Sequence, residues 1–497
     1  MIKMISINKN KIFFVFSLLV LFITNLYVNF NIRLLALVQD DLSYWNTFKL
    51  HQSDFFAFVF DTGANKLRPV LNTITYALFS LFGTKIWLFG WFNILFSFVI
   101  ASVLYYFFYR ISKNLFFSLI LGIAFIVSRF AYYDITQVFG VMEAMGILLA
   151  SSTLFLLWRY LNSEKMKYYW VSLGLFVALV FVHERYIALY FIFFVCILMI
   201  KFKWRNLLLL FLPAVPIFAN ITLKQYVFRI RPLDGTGGTA IADTFNINQF
   251  FDYVISGAKS LFGANNADAY LSGLPFASAS LDIRLLTYTG FVIISIVTLI
   301  FFIKLFSWKK EAFLKIKNIL LFCSFIIATL AAASVTFRQE MRWLYVAYVG
   351  LLFLISYVVG VLLKENKKNL YVYAFLMSWL IVTVITNMYF RNYYSNLYYW
   401  GNQTLGNEIY LKTVGKYGSD FWSYKTYIVT DVERLPLYTG NDLTSDTNTF
   451  FKQFQENERQ KIDVQIISSV SEAVDVGKKT IILDYDSTNN RLTDISK

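Results

Sequence analysis

The sequence predicts a polytopic membrane protein, built mainly of α-helices, with a small α/β domain at its C-terminal end. Three observations lead to this class. Hydrophobic residues make up 58% of the 497 residues and charged residues only 15%, whereas about a quarter of the residues of soluble proteins are charged. Apolar runs of about 20 residues, the length of a helix that crosses a bilayer, recur along the chain. From residue 391 the composition changes abruptly to a charged sequence with short strand-like runs.

Eleven apolar segments are predicted to span the membrane, in a domain that covers residues 1–390. The first is interpreted as a retained helix, because it is long and no small-residue cleavage site follows it. A further apolar segment, 68–84, is predicted to be a re-entrant or juxtamembrane helix at the outer surface, since counting it as a span would turn every later basic loop outward. The predicted spans are 12–32, 86–109, 114–132, 139–160, 168–182, 186–202, 206–222, 286–306, 318–336, 342–363 and 370–390.

The net charge of +15 is distributed as a membrane topology signal. Residues 391–497 carry 12 basic and 14 acidic residues, so the excess lies in the membrane part. The N-terminus and alternate loops hold 19 of the 33 basic residues before 391, but only three of the 16 acids. By the positive-inside rule these loops are cytoplasmic, which predicts a protein of the plasma or inner membrane with its C-terminal region outside. This distribution argues against a nucleic-acid partner, and the two cysteines, Cys196 and Cys323, exclude a zinc cluster.

Acidic residues of the membrane part gather on the predicted outer side. An acid at mid-bilayer costs roughly 2.5–3.5 kcal/mol on insertion scales, so these residues belong in loops. For Asp54, Asp61 and Asp134, solvation of a loop in the headgroup zone is an equally good interpretation. The adjacent pair Asp40–Asp41 directly follows the first span, and two neighbouring carboxylates repel, so that one pKa should rise. The pair is therefore the best candidate for acid–base chemistry.

Basic residues accompany these acids in two later outer segments. Arg338 and Arg342 are four residues apart and would share one helical face at the membrane edge, with Glu340 between them to orient either arginine. The alternative is that both arginines only anchor a helix end. In the turn 183–185, a lone His183 is usually structural, whereas Arg185 is predicted to contact a phosphate or another part of a substrate.

Taken in order, these residues resemble the GT-C superfamily of glycosyltransferases, which use sugars carried on polyprenyl phosphate. The superfamily includes the protein mannosyltransferases and the lipid A aminoarabinose transferases, and the resemblance covers most of residues 12–363. The matching stretches are Asp40-Asp41 after the first helix, Arg68-Pro69 and Phe82-Gly83 within 66–110, His183-Glu184-Arg185 where the family often has a lysine, and RQEMRWLY at 338–345, which is similar to the family's His-Lys-Glu-x-Arg-Phe.

The resemblance implies an integral membrane glycosyltransferase that moves a sugar from a polyprenyl-phosphate donor to a glycan, lipid or protein acceptor on the outer face. It implies that Asp40 is the base that takes the acceptor's hydroxyl proton. Asp41 would orient the acceptor, or the pair would hold a divalent cation, Mg or Mn, as some members do. Arginines would hold the departing phosphate. The predicted substrate-binding residues are Arg68, Asp134, Glu184, Arg185, Arg338, Glu340 and Arg342.

Other functions stay open at this point. A transporter or flippase of lipid-linked glycans would show internal repeats and broken helices at midplane, and no convincing repeat is found. A lipid-linked polysaccharide polymerase or ligase would rely on arginines in a large outer loop and would not need the acidic pair. An O-acyltransferase that uses His183 is the least favoured. The Gly-rich stretch 234–239 of the long loop 223–285 lacks the Lys-Ser/Thr of a phosphate-binding loop. The loop is predicted to be a flexible lid over the active site, because long ordered loops are often functional; a solvated connector is the alternative.

The C-terminal domain, 391–497, is predicted to be a compact α/β unit. Strands are expected at 424–432, 462–469 and 478–486, with an amphipathic helix at 446–461. Binding of an acceptor glycan and a structural cap on the membrane part are both compatible with this sequence.

Overall fold

The chain forms a predominantly helical bundle with a small sheet near its C-terminus, which confirms the predicted fold class. Within the part of the chain that the structure describes, eight helices are long and apolar enough to cross a membrane, or nine if the bent pair Leu115–Val127 and Arg129–Thr136 is one span. The structure, a computed structural model, describes residues 9–200, 204–235, 239–264, 273–307, 312–365, 370–436, 442–443, 449–455, 460–473, 479–489 and 491–496.

In the first half of the chain, long apolar helices alternate with short helices. The helices are α1 Lys9–Asn29, α2 Asp40–Leu50, α3 Phe55–Val59, α4 Pro69–Phe82, α5 Ile86–Ser112, α6 Leu115–Val127, α7 Tyr132–Thr136, α8 Gly140–Ser163, α9 Met166–Val180, α10 Tyr190–Leu198, α11 Trp204–Phe211 and α12 Ala214–Thr222.

In the second half, four long helices continue the bundle and short helices follow the last of them. They are α13 Ile241–Thr244, α14 Ile247–Leu261, α15 Leu281–Ser307, α16 Ala312–Ala332, α17 Tyr345–Glu365, α18 Leu370–Leu397, α19 Leu405–Lys412, α20 Val414–Tyr417 and α21 Thr449–Lys452. A π-helical turn, Tyr399–Thr404, joins α18 to α19, so that helical structure continues across the predicted domain boundary at 391.

Two of the eleven predicted spans, 168–182 and 186–202, have no counterpart among the eight or nine candidate helices in the described part of the chain. The segment 168–182 corresponds to α9, whose 15 residues make a helix about 22 Å long. The segment 186–202 corresponds to the 3₁₀ turn Glu184–Leu189 followed by the nine residues of α10. Segment 68–84, excluded from the predicted count, forms the 14-residue α4, which is also too short to span.

Close helix packing in the bundle depends on small residues. A Cβ placed on Gly360 of α17 would lie 2.6 Å from the Cα of Ser112 at the end of α5, so the two backbones touch there. In contrast, a Cβ on Gly174 of α9 would meet nothing within 4 Å. Glycine at the first position therefore lets two spans approach each other, as small residues do in membrane bundles.

A separate aromatic core fixes the connection between α1 and α5. Trp45 and Phe48 of α2 pack on Phe79 of α4, with ring centroids 5.1 and 5.4 Å from the Phe79 ring. Phe58 and Phe89 complete this cluster of buried rings. The core holds α2 against α4 and so determines where the first residues of α2 lie.

The C-terminal sheet has four strands in the order β2-β1-β3-β4. The strands β1 Lys425–Val429, β2 Val464–Ile467 and β3 Thr480–Asp486 are parallel and confirm the three predicted strands. The antiparallel β4, Arg491–Asp494, was not predicted, because it is only four residues long and polar at both ends. Of the predicted helix 446–461, α21 is described and residues 446–448 and 456–459 lie outside the described residues.

The predicted lid, 223–285, is largely helical where it is described. Its α14 is fastened to the segment before α17, since Gln249 Nε2 and Tyr253 Oη each donate a hydrogen bond to the carbonyl of Phe337 at 2.9 Å. Other predicted features lie outside the described residues: 236–238 and 265–272 of the lid, and 201–203, 308–311 and 366–369 of the predicted cytoplasmic loops.

Candidate active site

A cavity of about 700 Å³ is formed by alternate connections between the helices. Its walls come from the start of α2, the segment before α4, the turn between α9 and α10, the beginning of the lid and the segment between α16 and α17. The structure thus brings together segments more than 300 residues apart. Of the nine predicted site residues, six line the cavity: Asp40, Arg68, Glu184, Arg185, Arg338 and Arg342.

The two acids of the pair have different environments. Asp41 is fully buried, and its Oδ1 and Oδ2 accept hydrogen bonds from the backbone N–H groups of Phe139 at 2.7 Å and Val138 at 2.9 Å. Burial raises the pKa of Asp41 to about 8; the two hydrogen bonds oppose this rise and the charge of Asp40 adds to it. Asp41 therefore anchors α2 to the segment before α8, and Asp40 is the carboxylate of the pair that reaches the cavity.

This arrangement does not fit the predicted Mg or Mn ion on the pair. Both oxygens of Asp41 are already bonded to backbone groups, and the side chain is not exposed to the cavity. Hard divalent cations need carboxylate oxygens that are free to coordinate. Among the described residues, no group of three or more His, Cys, Asp or Glu is placed to hold a metal ion. Asp41 also does not line the cavity, so this geometry does not support the predicted contact with an acceptor, which stays a prediction.

Arg68 and Glu184 meet in an ion-pair cluster at the cavity wall. Arg68 Nε lies 3.4 Å from Glu184 Oε2, and the buried Lys224 places its Nζ 3.4 Å from Glu184 Oε1. Burial alone would raise the pKa of Glu184, but Arg68, His183, Lys66 and Lys224 outweigh it and lower the pKa to about 2. Glu184 is therefore a permanent anion that holds cations in place.

His183 is neutral and has both ring nitrogens next to N–H donors. Its Nδ1 accepts the backbone N–H of Arg185 at 3.2 Å, and its Nε2 lies 3.2 Å from Arg68 Nη2. Burial, helped by Arg68, lowers the pKa of His183 well below its usual value. Because neither nitrogen is free to accept a substrate proton, this geometry argues against an acyltransferase that uses His183 as its base.

Arg185 is held from behind the cavity. Its guanidinium pairs with Glu143, a fully buried residue of α8, and lies 5.1 Å from the centroid of the Tyr186 ring. Asp134 is buried and does not line the cavity; the charges of Arg185, Arg391 and Arg342 act on it. Asp134 thus lies behind the cavity, and its predicted contact with a substrate stays a prediction. The acid Glu143 was missed because it stands inside an apolar span, where the sequence shows no partner for it.

Arg338 and Arg342 meet through Glu340 and do not share a helical face. Glu340 Oε1 lies 2.8 Å from Arg338 Nη2, and Glu340 Oε2 lies 2.5 Å from Arg342 Nε. The predicted common helix is wrong here, because Arg338 precedes the 3₁₀ turn Met341–Leu344 and α17 begins only at Tyr345. The guanidinium of Arg342 also lies 4.1 Å from the centroid of the Tyr133 ring. Both arginines nevertheless line the cavity, with Glu340 as their shared counter-ion.

Three further charged residues, not predicted as site residues, line the cavity: Lys66, Asp61 and Asp234. Lys66 Nζ donates hydrogen bonds to the carbonyls of Asp234 at 2.5 Å and Gly235 at 3.0 Å. Burial lowers the pKa of Lys66 to about 8, although Glu184 opposes this change. The sequence feature that could have identified Lys66 as a site residue is its position two residues before Arg68.

Similarity to known proteins is limited. No family model matches the chain, and no curated protein matches it. Among solved structures, the oligosaccharyltransferase of Archaeoglobus fulgidus, tethered to an acceptor peptide that contains the NVT sequon, matches 84% of this chain with 12% sequence identity and a TM-score of 0.47. The chain matches 61% of the length of that protein. We infer no activity from a similarity of this degree.

Proposed function

We propose that this chain is a membrane glycosyltransferase of the GT-C type, which transfers a sugar from a polyprenyl-phosphate donor to a hydroxyl of a glycan, lipid or protein acceptor. The observation that carries the proposal is the composition of one cavity. It combines a reachable carboxylate, Asp40, with five cationic side chains: Lys66, Arg68, Arg185, Arg338 and Arg342.

The carboxylate and the cations match the two halves of a glycosyl transfer. The acceptor oxygen forms a bond to the anomeric carbon of the sugar, the bond from that carbon to the phosphate oxygen breaks, and polyprenyl phosphate departs. Asp40 takes the acceptor's hydroxyl proton as general base, a role that typically contributes about 10²–10⁴-fold in rate. Fixed cations stabilise the charge that develops on the departing phosphate.

Arg338 is the cation best suited to meet the donor phosphate. Its side chain is 37% exposed, whereas that of Arg342 is 15% exposed. Glu340 holds both guanidinium groups, so they are positioned before a substrate arrives. Arginine is suited to this role because its N–H groups bind phosphate oxygens in pairs. Arg68 and Lys66 would contact the sugar or the phosphate from the opposite segment of the chain.

The position of the cavity fits a lipid-linked donor. The polyprenyl tail would stay in the bilayer while the sugar phosphate enters between the ends of the helices. Since the basic loops are predicted to be cytoplasmic, the reaction would take place on the outer face of a plasma or inner membrane. The partners are the lipid-linked donor, an acceptor with a free hydroxyl group and the surrounding lipids, with no nucleic acid.

The test replaces Asp40 with asparagine in the purified full-length protein. Asp40→Asn keeps the shape of the side chain and removes the base, so transfer from polyprenyl-phosphate hexoses or pentoses should fall by about 10²–10⁴-fold while donor binding is retained. Asp54→Asn is the matched control. Asp54 caps α3 by accepting the N–H of Ala57 at 2.9 Å, and asparagine caps helices as well as aspartate does.

Equal transfer rates for Asp40→Asn and the unmutated protein would refute the catalytic role of Asp40. If the unmutated protein instead moves lipid-linked glycans across vesicles without forming a glycosidic bond, the transporter function replaces the proposed one. Chain growth on a lipid-linked glycan that is insensitive to Asp40→Asn would favour a polymerase or ligase.

A further inference from the structure

One buried side chain from the C-terminal region joins the two segments that fix the acidic pair. Gln403 lies in the π-helical turn after α18 and is fully buried. Its Oε1 accepts the backbone N–H groups of Leu35 at 3.0 Å and Ala36 at 2.9 Å, and its Nε2 donates to the carbonyl of Thr136 at 3.0 Å. Residues 35–36 lead into α2, and Thr136 leads to the two backbone N–H groups that bind Asp41.

The C-terminal domain also holds α2 along its length. At the start, Asp442 Oδ2 accepts the backbone N–H of Gln39 at 3.1 Å. Further along, Trp45 Nε1 donates to the carbonyl of Gln453 at 3.2 Å, and Lys49 Nζ donates to the carbonyl of Lys452 at 3.2 Å.

The backbone at the start of α2 needs this support. Gln39, immediately before the acidic pair, has φ 49° and ψ −111°, a conformation that residues with a Cβ rarely adopt. Such backbone persists only where surrounding contacts determine it. Here the bond to Asp442 supplies one contact. Another is the close approach of α19, where a Cβ on Gly406 would lie 2.9 Å from the Cβ of Ala36.

We propose that Gln403 and Asp442 are positioning residues for Asp40, so that the C-terminal region forms part of the framework of the active site. The proposal rests on the proposed function, because that function gives Asp40 its role. Neither residue lines the cavity. Their effect therefore reaches the reaction through the backbone of residues 35–41 and not through contact with a substrate.

The first test compares Gln403→Leu with Gln465→Leu in the full chain reconstituted in lipid. Leucine is close to glutamine in size but makes none of the three hydrogen bonds. For Gln403→Leu, kcat for transfer from polyprenyl-phosphate sugars should fall at least tenfold, while the donor KM stays within about twofold, since the donor's cationic ligands are untouched. Gln465 is exposed on β2, so Gln465→Leu should transfer sugar at the unmutated rate.

Three further variants separate positioning from general stability. Asp442→Asn keeps an oxygen that accepts the Gln39 N–H and should retain most of kcat, whereas Asp442→Ala should lower kcat several-fold.

Gln403→Glu adds a test that depends on pH. When protonated, its carboxyl can donate to Thr136 and still accept from Leu35. When ionised at higher pH it repels the Thr136 carbonyl, so kcat should fall as pH rises over a range where the unmutated protein is constant.

Several results would overturn the proposal. One is that the folded fraction of Gln403→Leu has a normal kcat, even if the variant is less thermally stable than the unmutated protein. If that variant does not fold, equal rates for Asp442→Ala and Asp442→Asn decide against it. If the unmutated protein transfers no sugar, the proposed function fails. Hydrogen exchange then tests separately whether Gln403 holds α2 in place. Faster exchange of the α2 amides in Gln403→Leu supports the proposal, and unchanged exchange overturns it.

Discussion

Lys66 differs from the arginines of the cavity because its charge can be removed near neutral pH. With a pKa of about 8, it is charged below pH 8 and becomes neutral as the pH rises through that value. If Lys66 helps to bind the donor phosphate, donor KM should rise several-fold between pH 7 and 9.

The variant Lys66→Arg should abolish this rise, because arginine stays charged over the whole range. Measurement of KM at a series of pH values checks it. Lys85→Arg, at an exposed position before α5, is the matched control and should keep the rise. A rise of the same size in Lys66→Arg would assign the pH dependence to another group.

Arg338 and Arg342 share one counter-ion but should respond differently to substitution. Arg338→Ala removes the more exposed guanidinium and leaves Arg342 paired with Glu340, so donor KM should rise several-fold or more with normal insertion and folding. Arg342→Ala removes a mostly buried group and should also lower stability, since it takes away a buried ion pair and the contact with Tyr133.

Donor titrations measure the change in KM, and thermal unfolding measures the change in stability. Arg434→Ala, at an exposed position, is the control. Unchanged donor kinetics in both variants would exclude a role in phosphate binding.

For single residues, the sequence predicts those whose chemical role can be judged without knowing their contacts in the fold. Asp40 and Arg338 were predicted as site residues because charged residues at predicted outer loops are conspicuous in an apolar chain, and Arg68 because Arg68-Pro69 resembles the GT-C pattern. The different environments of Asp40 and Asp41 were not predictable, since they depend on backbone N–H groups almost 100 residues away. Glu143 was missed because its pairing with Arg185 is a contact between helices.

Among the elements, the contact between α5 and α17 has little room for change. A methyl group added at Gly360 would overlap the backbone of Ser112, and overpacking of this kind typically costs about 1–3 kcal/mol. Gly360→Ala should therefore lower the free energy of unfolding by about that amount, although alanine favours helix. Gly174→Ala, in open space, should be neutral or stabilising. Unfolding in detergent or by denaturant compares the two; equal stability of both variants would contradict the packing argument.

Spans were predictable from hydropathy because the bilayer imposes their length, and most ends agree within a few residues. The short helices α9 and α10 were predicted as spans because hydropathy does not reveal that the chain continues from the predicted turn 183–185 as a 3₁₀ helix to Leu189, which shortens the helix that follows. The 3₁₀ turn before α17 was not predicted either, since hydropathy does not show that two arginines pair with Glu340 at this point.

For the whole molecule, the predicted sidedness can be tested directly. Reporter fusions at Lys113 and Lys310 should report the cytoplasm and a fusion at Lys497 the outside, because the basic loops carry most of the positive charge of the membrane part. The short α9 and α10 do not alter this expectation: omitting both leaves the number of crossings odd. A cytoplasmic signal at Lys497 would contradict the topology and the outward-facing site.

The hydrogen bond between Gln39 and Asp442 joins residues 403 positions apart in the chain, and this distance has a consequence for biosynthesis. At about 5–20 residues per second, the ribosome would add Asp442 roughly 20–80 s after Gln39. Throughout that interval the nascent chain already contains Asp40 and the first span, but it lacks Asp442 and the residues after it that bind α2. The growing protein should therefore be unable to transfer sugar until its last hundred residues have been made, and a transcript cut short at residue 400 should yield an inserted but inactive chain.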